Sequence, residues 1–152
     1  MSFLKETRTK AWLLALIAGT VLAFVLTQGA GRLKPLSVWP IINDVATGET
    51  SEYPDIKPQR FNHPPEQVLE AAGGAIRSLP NWKVESQSDN ELHAIRTTRL
   101  FRFKDDIWLR VSKTDDGWTE VWIRSKSRVG KGDLGQNARN IRELQAALSS
   151  RL

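Results

Sequence analysis

The chain has 152 residues, enough for a membrane segment and one small domain, and it contains no cysteine. Disulfides, thiolate nucleophiles and a lipid-modified N-terminal cysteine are therefore excluded. The net charge of +5 is unevenly divided, because residues 35–95 hold four basic and nine acidic side chains whereas residues 96–142 hold twelve basic and six acidic. A nearly neutral domain argues against a nucleic-acid partner, which requires positive charge over a whole face, but it permits a local anion site.

An uncharged segment near the N-terminus has the length of a membrane span. It covers 17 residues from Ala11 to Thr27, or 21 if it continues through Gly31. At about 1.5 Å per residue, the longer version reaches roughly 30 Å, the thickness of one bilayer core. We predict a basic segment at 1–10 and a transmembrane anchor at 11–31. A cleaved signal peptide and a buried core helix are the alternatives. The flanking cations weakly favour an inside N-terminus and an outside C-terminal domain.

Residues 32–60 are interpreted as a tether. Its prolines interrupt any long helix, but its first part is too apolar for a free linker. Trp39 follows the predicted anchor closely, and tryptophan favours the headgroup region of a bilayer. We predict that residues 33–42 pack at the membrane surface or against a partner. The alternative is that they cover the core of the domain.

Residues 61–152 are predicted to form the globular domain. Pro64-Pro65-Glu66 begins a helix, since proline suits the first turn and glutamate favours the helix dipole, and Pro80 ends it. Alternating side chains and turn residues then predict four strands. The strands are Trp82–Gln87, Glu91–Phe103, one through Ile107 and Val111, and one that alternates from Trp118 to Arg128; the turns are Ser88-Asp89-Asn90, Lys104-Asp105-Asp106 and Asp115-Asp116-Gly117. A last helix is expected from about Gly135 to Arg151.

The order of helix, strands and helix predicts an α+β fold with two layers. An antiparallel sheet of about four strands would carry both helices on one face. The side chains expected to face the helices are Ile107, Leu109, Val111, Val121 and Ile123. The opposite face would present Trp108, Arg110, Trp122 and Arg124, and it would either be solvated or contact a partner.

The run from Arg124 to Asn137 is the candidate site. Glycines let backbone N–H groups approach a ligand, and guanidinium groups with a helix start suit phosphate, sulfate or carboxylate. The candidate anion- or partner-binding residues are Arg124, Ser125, Ser127, Arg128, Gly130, Asp133 and Asn137. The alternative is structural: Asp133 or Asn137 caps the last helix, while Arg124 or Arg128 pairs with Asp105 or Asp106.

Tryptophans on neighbouring strands predict an aromatic ridge. Interface cores favour tryptophan and arginine, and the arginines could stack on the rings. The predicted interface residues are Trp39, Trp108, Arg110, Trp118 and Trp122. Packing beneath the tether or the terminal helix is the alternative.

No catalytic residue, metal site or cofactor is predicted. His63 and His93 are the only histidines and are far apart in sequence, so they lack the spacing of a zinc site. Neither a nucleophile elbow nor a phosphate-binding P-loop is present. Asp105-Asp106 is interpreted as a solvated or salt-bridged turn.

Three stretches resemble the motifs of a known family. They are Ile42 to Thr47, Thr97 to Asp106 followed by Arg110-Val111, and Arg124 to Asn137 with Arg142. Together they resemble the bacterial and plastid domain of unknown function 1499, over residues 42–148. The resemblance implies a membrane- or envelope-associated context and no established reaction.

Three hypotheses of function follow. The first is a non-enzymatic, single-pass binding module of a bacterial inner membrane, whose periplasmic domain docks a membrane-protein partner as an accessory or assembly subunit. The second is a small enzyme or carrier that binds an anionic lipid or metabolite at the Arg124–Asn137 loop. The third is a purely structural envelope domain.

Overall fold

A computed structural model describes residues 40–152 of the chain. The predicted anchor and Trp39 lie outside these residues. The elements are β1 (Asp44–Ala46), β2 (Gln59–Phe61), α1 (Pro65–Ser78), β3 (Trp82–Gln87), β4 (Glu91–Thr97), β5 (Lys104–Lys113), β6 (Thr119–Ser127) and α2 (Gln136–Ser149). They confirm the prediction of an α+β domain with an antiparallel sheet and two helices. Within residues 40–152, no helix combines the length and apolar character that crossing a bilayer requires.

The sheet has six strands, two more than the sequence indicates. Its order is β1-β6-β5-β4-β3, and β2 also pairs with β6. β1 pairs with residues 124–126 and β2 with residues 119–121, so both lie along the same edge of β6. The sheet thus includes two parts of the segment that the sequence analysis assigns to the tether. These short strands cover an edge whose backbone groups would otherwise lack partners.

The turn predicted at Lys104-Asp105-Asp106 is wrong, because these residues begin β5. The strand predicted to reach Phe103 ends at Thr97, and the chain reverses between them. The Thr98 N–H donates to the Phe103 carbonyl over 2.8 Å, and the Phe103 N–H donates to Thr98 Oγ1 over 2.9 Å. Two adjacent aspartates are tolerated in a strand here because the two faces of the sheet supply each with its own partners.

Side chains that alternate along β5 and β6 form the core. The predicted inward set is confirmed: Ile107, Leu109, Val111, Val121 and Ile123 are all at most 2% exposed. Helix α1 covers them with Val68, Leu69, Ala72, Ala75 and Ile76, and α2 with Ala138, Ile141, Leu144 and Leu148. Both helices therefore lie on one face of the sheet, and the other face, called the open face below, is left uncovered by the described elements.

The alternation on β5 gives a direct test of this assignment. Leu109→Ala should lower the free energy of unfolding by about 2 to 5 kcal/mol, because it opens a cavity in the core. The exposed Ser112→Ala on the same strand, whose side chain lies on the opposite face, should change it by less than about 0.5 kcal/mol. Urea denaturation followed by circular dichroism measures both. Equal effects of the two substitutions would contradict the assigned faces.

Candidate functional site

The two-residue period of β6 divides the predicted site between two sides of the sheet. Ser125 and Ser127 point into the helix layer and are buried, whereas Arg124 and Arg128 project from the open face. The predicted anion- or partner-binding residues therefore do not converge on one ligand position. The buried half forms a polar cluster with α2, and the exposed half forms ion pairs and ring contacts on the open face.

Asn137 is the centre of the buried cluster. Its Oδ1 accepts from Ser125 Oγ over 2.6 Å, and its Nδ2 donates over 2.9 Å to both Ser127 Oγ and the Asn43 carbonyl. This one side chain therefore ties β6 to α2 and to the segment before β1. We call the cluster of Ser125, Ser127, Asn137, Asn140 and Asp105 the clasp.

Asp105 supplies the charge of the clasp. Its Oδ1 accepts from Ser127 Oγ over 2.7 Å, and its Oδ2 accepts from Asn140 Nδ2 over 3.0 Å. The Arg96 guanidinium lies 4.0 Å from this carboxylate. A buried charge is tolerated only when hydrogen bonds and an opposite charge replace its hydration, and these three groups do so.

The start of α2 already holds a carboxylate of the protein itself. Gly135 occupies the N-cap with φ 75° and has no side chain to cap the helix. Asp133 takes that role: its Oδ1 accepts from the Gly135 N–H over 2.8 Å and its Oδ2 from the Asn137 N–H over 2.6 Å. The helix dipole favours this negative charge. An external anion would therefore have to displace Asp133.

The loop before α2 is fixed to the start of the domain. The Asp133 N–H donates to the Ile42 carbonyl over 3.1 Å, and Asn43 Nδ2 donates to the Gly130 carbonyl. Gly130 has φ 88°, a conformation that an L side chain rarely adopts. This glycine therefore allows the chain to turn after β6, and its carbonyl already accepts a hydrogen bond from Asn43.

On the open face, two arginines form two-point ion pairs. Arg124 contacts Asp44 through distances of 2.8 and 2.6 Å, and Arg128 contacts Asp106 through 2.7 and 2.8 Å. The Arg124 guanidinium holds the pKa of Asp44 below its usual value, and the Arg128 guanidinium does the same for Asp106. The alternative pairing of Arg128 with Asp106 is thus observed, while the partner of Arg124 comes from β1.

Three planar groups lie side by side across β6, β5 and β4. The Arg124 guanidinium carbon is 5.8 Å from the centroid of the Trp108 ring, and Trp108 stacks on His93 with centroids 5.3 Å apart. His93 Nε2 is 2.8 Å from Asp106 Oδ1. The sequence does not predict this contact, because His93 has only the metal-ligand spacing to be judged by. Its position opposite Trp108 in the strand register is the signal that would have found it.

A groove of about 600 Å³ lies beside this row on the open face. It is lined by Ala46, Glu49, Glu91, Trp108, Arg110, Ser112, Trp122, Ile123 and Arg124. The two tryptophans and two arginines predicted for the open face of β5 and β6 all line the groove, and Arg124 stacks over Trp108. Arg110 is held only loosely by Glu91, at 3.3 Å, and its side chain is 66% exposed.

Trp118 is separate from this groove. It lies in the turn between β5 and β6, where Arg60 stacks over its ring at 5.6 Å and also pairs with Asp116. The predicted ridge of three tryptophans is therefore a pair, Trp108 and Trp122, with Trp118 at the end of the sheet. Among residues 40–152, no group of three or more His, Asp or Glu side chains is arranged to hold a metal ion.

The clasp should be a major source of stability. Asn137→Ala removes the acceptor of the buried Ser125 hydroxyl and the side-chain donor to Ser127 Oγ, so we expect a loss of about 2 to 4 kcal/mol in the free energy of unfolding. Lys131→Ala, in the exposed loop next to the clasp, is the matched control and should leave the urea midpoint unchanged. A fully stable Asn137→Ala protein would show that the clasp is not structural.

The ion pair of Asp106 should make stability depend on acid pH. Because its pKa lies below 3.8 in the folded protein, the pair stabilises above that pH and is lost as the pH falls through the folded pKa. Replacement by asparagine removes this dependence. The difference in unfolding free energy between the native protein and Asp106→Asn should therefore be constant above about pH 5 and shrink toward pH 2. Urea titrations across this range would contradict the pairing if the difference did not change.

Comparison with known proteins adds one finding. None of the curated proteins compared with the chain matches it. The sequence profile of a family described as "Protein of unknown function (DUF1499)" matches residues 37–148, which include every strand of the sheet, α1 and most of α2. Because this match covers well over half of the chain, and includes both the clasp and the groove, the chain belongs to the DUF1499 family.

Proposed function

We propose that the protein is a membrane-anchored, non-enzymatic binding module whose groove on the open face docks an extramembrane segment of a membrane-protein partner. The observation that carries the proposal is the groove itself. It combines two half-buried tryptophans with two exposed arginines on adjacent strands of a rigid sheet. Tryptophan and arginine are the residues that most often dominate binding energy at protein interfaces.

The charges of the groove favour a polypeptide over a small polyanion. Arg110 and Arg124 are balanced by Glu49 and Glu91 in the same lining. Arg124 is also held by Asp44, so its charge is largely neutralised within the domain. Arg110 makes a longer contact with Glu91 than Arg124 makes with Asp44. Arg110 is therefore the cation that can more readily pair with a carboxylate of the partner. A segment with apolar side chains and one acidic group matches this surface.

The context of the proposal comes from the sequence. The predicted anchor at 11–31 would place the domain at a bacterial inner membrane, and the flanking cations favour the periplasmic side. An accessory or assembly subunit of a membrane complex fits a domain that offers a binding surface without a catalytic set. The neutral lining of the groove and the engaged ring of His93 support a non-enzymatic role.

The alternative of an enzyme or carrier at the Arg124–Asn137 loop has less support. A ligand there would need free donors, but the polar groups of Ser125, Ser127 and Asn137 bond to one another. The helix start is taken by Asp133. A small anionic ligand would thus compete with contacts that hold the domain together.

A photo-crosslinker tests the proposed partner. Benzoylphenylalanine placed at Ser112, on the wall of the groove, should give one defined adduct when native membranes are irradiated. Arg110→Ala in the same chain should reduce its yield about tenfold, because it removes a hot-spot cation from a folded domain. The same reporter at the exposed Glu70 of α1 is the control and should give no such adduct. Identical adducts from both positions, or none from Ser112, would overturn the proposal.

A further inference from the structure

One end of the sheet carries an exposed apolar surface that the groove does not use. It is formed by the β4–β5 loop, the β6–α2 loop and the start of the described chain. Its large exposed side chains are Ile41, Leu100, Phe101, Phe103, Val129 and Leu134. Leu100 is 80% and Phe101 69% exposed. We call these residues, with the loops that carry them, the tip.

Backbone contacts bring the parts of the tip together. The Arg128 N–H donates to the Lys104 carbonyl over 3.0 Å, which joins the two loops. The contact between Asp133 and Ile42 joins the second loop to the start of the domain. Phe101 and Phe103 stack on each other with ring centroids 5.5 Å apart, while Arg102 between them adopts φ 54°. The two phenylalanine rings are therefore held against each other, although both are exposed and point away from the core.

The tip carries an excess of positive charge. Residues 98–104 and 128–135, which cover its two loops, contain five cations and one carboxylate, Asp133. The cations are Arg99, Arg102, Lys104, Arg128 and Lys131. Asp133 caps α2, and Arg128 pairs with Asp106, so the positive excess comes from the other four cations. At the other end of the sheet the turns carry Asp89, Asp115 and Asp116, of which Asp116 pairs with Arg60.

We infer that the tip inserts shallowly into a bilayer surface rich in anionic phospholipid. Aromatic and aliphatic side chains gain by entering the interfacial region, and surrounding lysines and arginines gain from lipid phosphates. The acidic turns at the far end would be repelled by the same surface, so the charge pattern selects one end. Neither the groove nor its partner is part of this inference.

The absence of cysteine allows a site-specific test on the full chain. Leu100→Cys in the tip and Asp115→Cys at the far end are each labelled with an environment-sensitive fluorophore. Both proteins are added to vesicles of phosphatidylcholine, with or without phosphatidylglycerol, that carry a nitroxide quencher on the lipid chains. We expect the label at position 100 to shift to shorter wavelength and to be quenched several-fold more in the anionic vesicles. The label at position 115 should remain water-exposed.

A charge variant and two contrary outcomes complete the test. Arg99→Gln with Arg102→Gln should reduce the quenching at position 100 without moving the label at 115. A label at position 100 that stays unquenched in anionic vesicles would overturn the inference. A label that is shifted equally in detergent, without lipid quenching, would show that another part of the chain covers the tip. The crosslinking experiment at Ser112 does not depend on any of these fluorescence measurements. The proposed partner of the groove and the proposed membrane contact of the tip can therefore fail separately.

Discussion

The alternation of side chains along β6 is the constraint on which the rest of the domain depends. This strand pairs with β1 and β2 on one edge and with β5 on the other, so a shift of one residue would exchange its two faces. On the inward face, Ser125 and Ser127 belong to the clasp. On the outward face, Arg124 and Arg128 pair with carboxylates of neighbouring strands. A stretch that looks like one continuous site in the sequence therefore joins β6 to α2 on one side of the sheet and forms part of the open face on the other.

The clasp explains why polar residues occupy a position where a core would ordinarily be apolar. Replacing such a cluster as a whole by hydrophobic residues can be nearly neutral, but removing one member leaves buried groups without partners. Because Asn137 bonds to two serines and to the backbone of Asn43, it specifies how α2 sits on β6. Asp133 adds to this by occupying the helix start. In this chain the motif from Arg124 to Asn137 thus contains the residues that attach α2 to β6. Their structural role is compatible with many functions of the open face.

The sequence predicts the elements that have a clear period and misses those that do not. β5 and β6 alternate regularly enough to assign their buried face correctly, and both helices lie close to their predicted bounds. β1 and β2 have three residues each, too few to show an alternating pattern. The one indication of them is that β6 would otherwise have an unpaired edge. Asp105 and Asp106 look like turn residues because their partners are remote in sequence. Conversely, the loop through Phe101 looks like a strand because aromatic residues are typical of strands, and the sequence does not show that these are exposed.

The groove and the tip lie on different sides of the domain, and their relation bears on how it would work at a membrane. The tip is formed where strands end, whereas the groove lies across the face of the same strands. A domain held by its tip would therefore direct its strands away from the bilayer and turn the groove sideways, along the membrane surface. A segment emerging from a neighbouring membrane protein would meet the groove in that orientation, since both chains would be confined to the same plane. Confinement raises the effective concentration of such a partner, so the modest contacts offered by Trp108, Trp122 and Arg110 would suffice without a deep pocket.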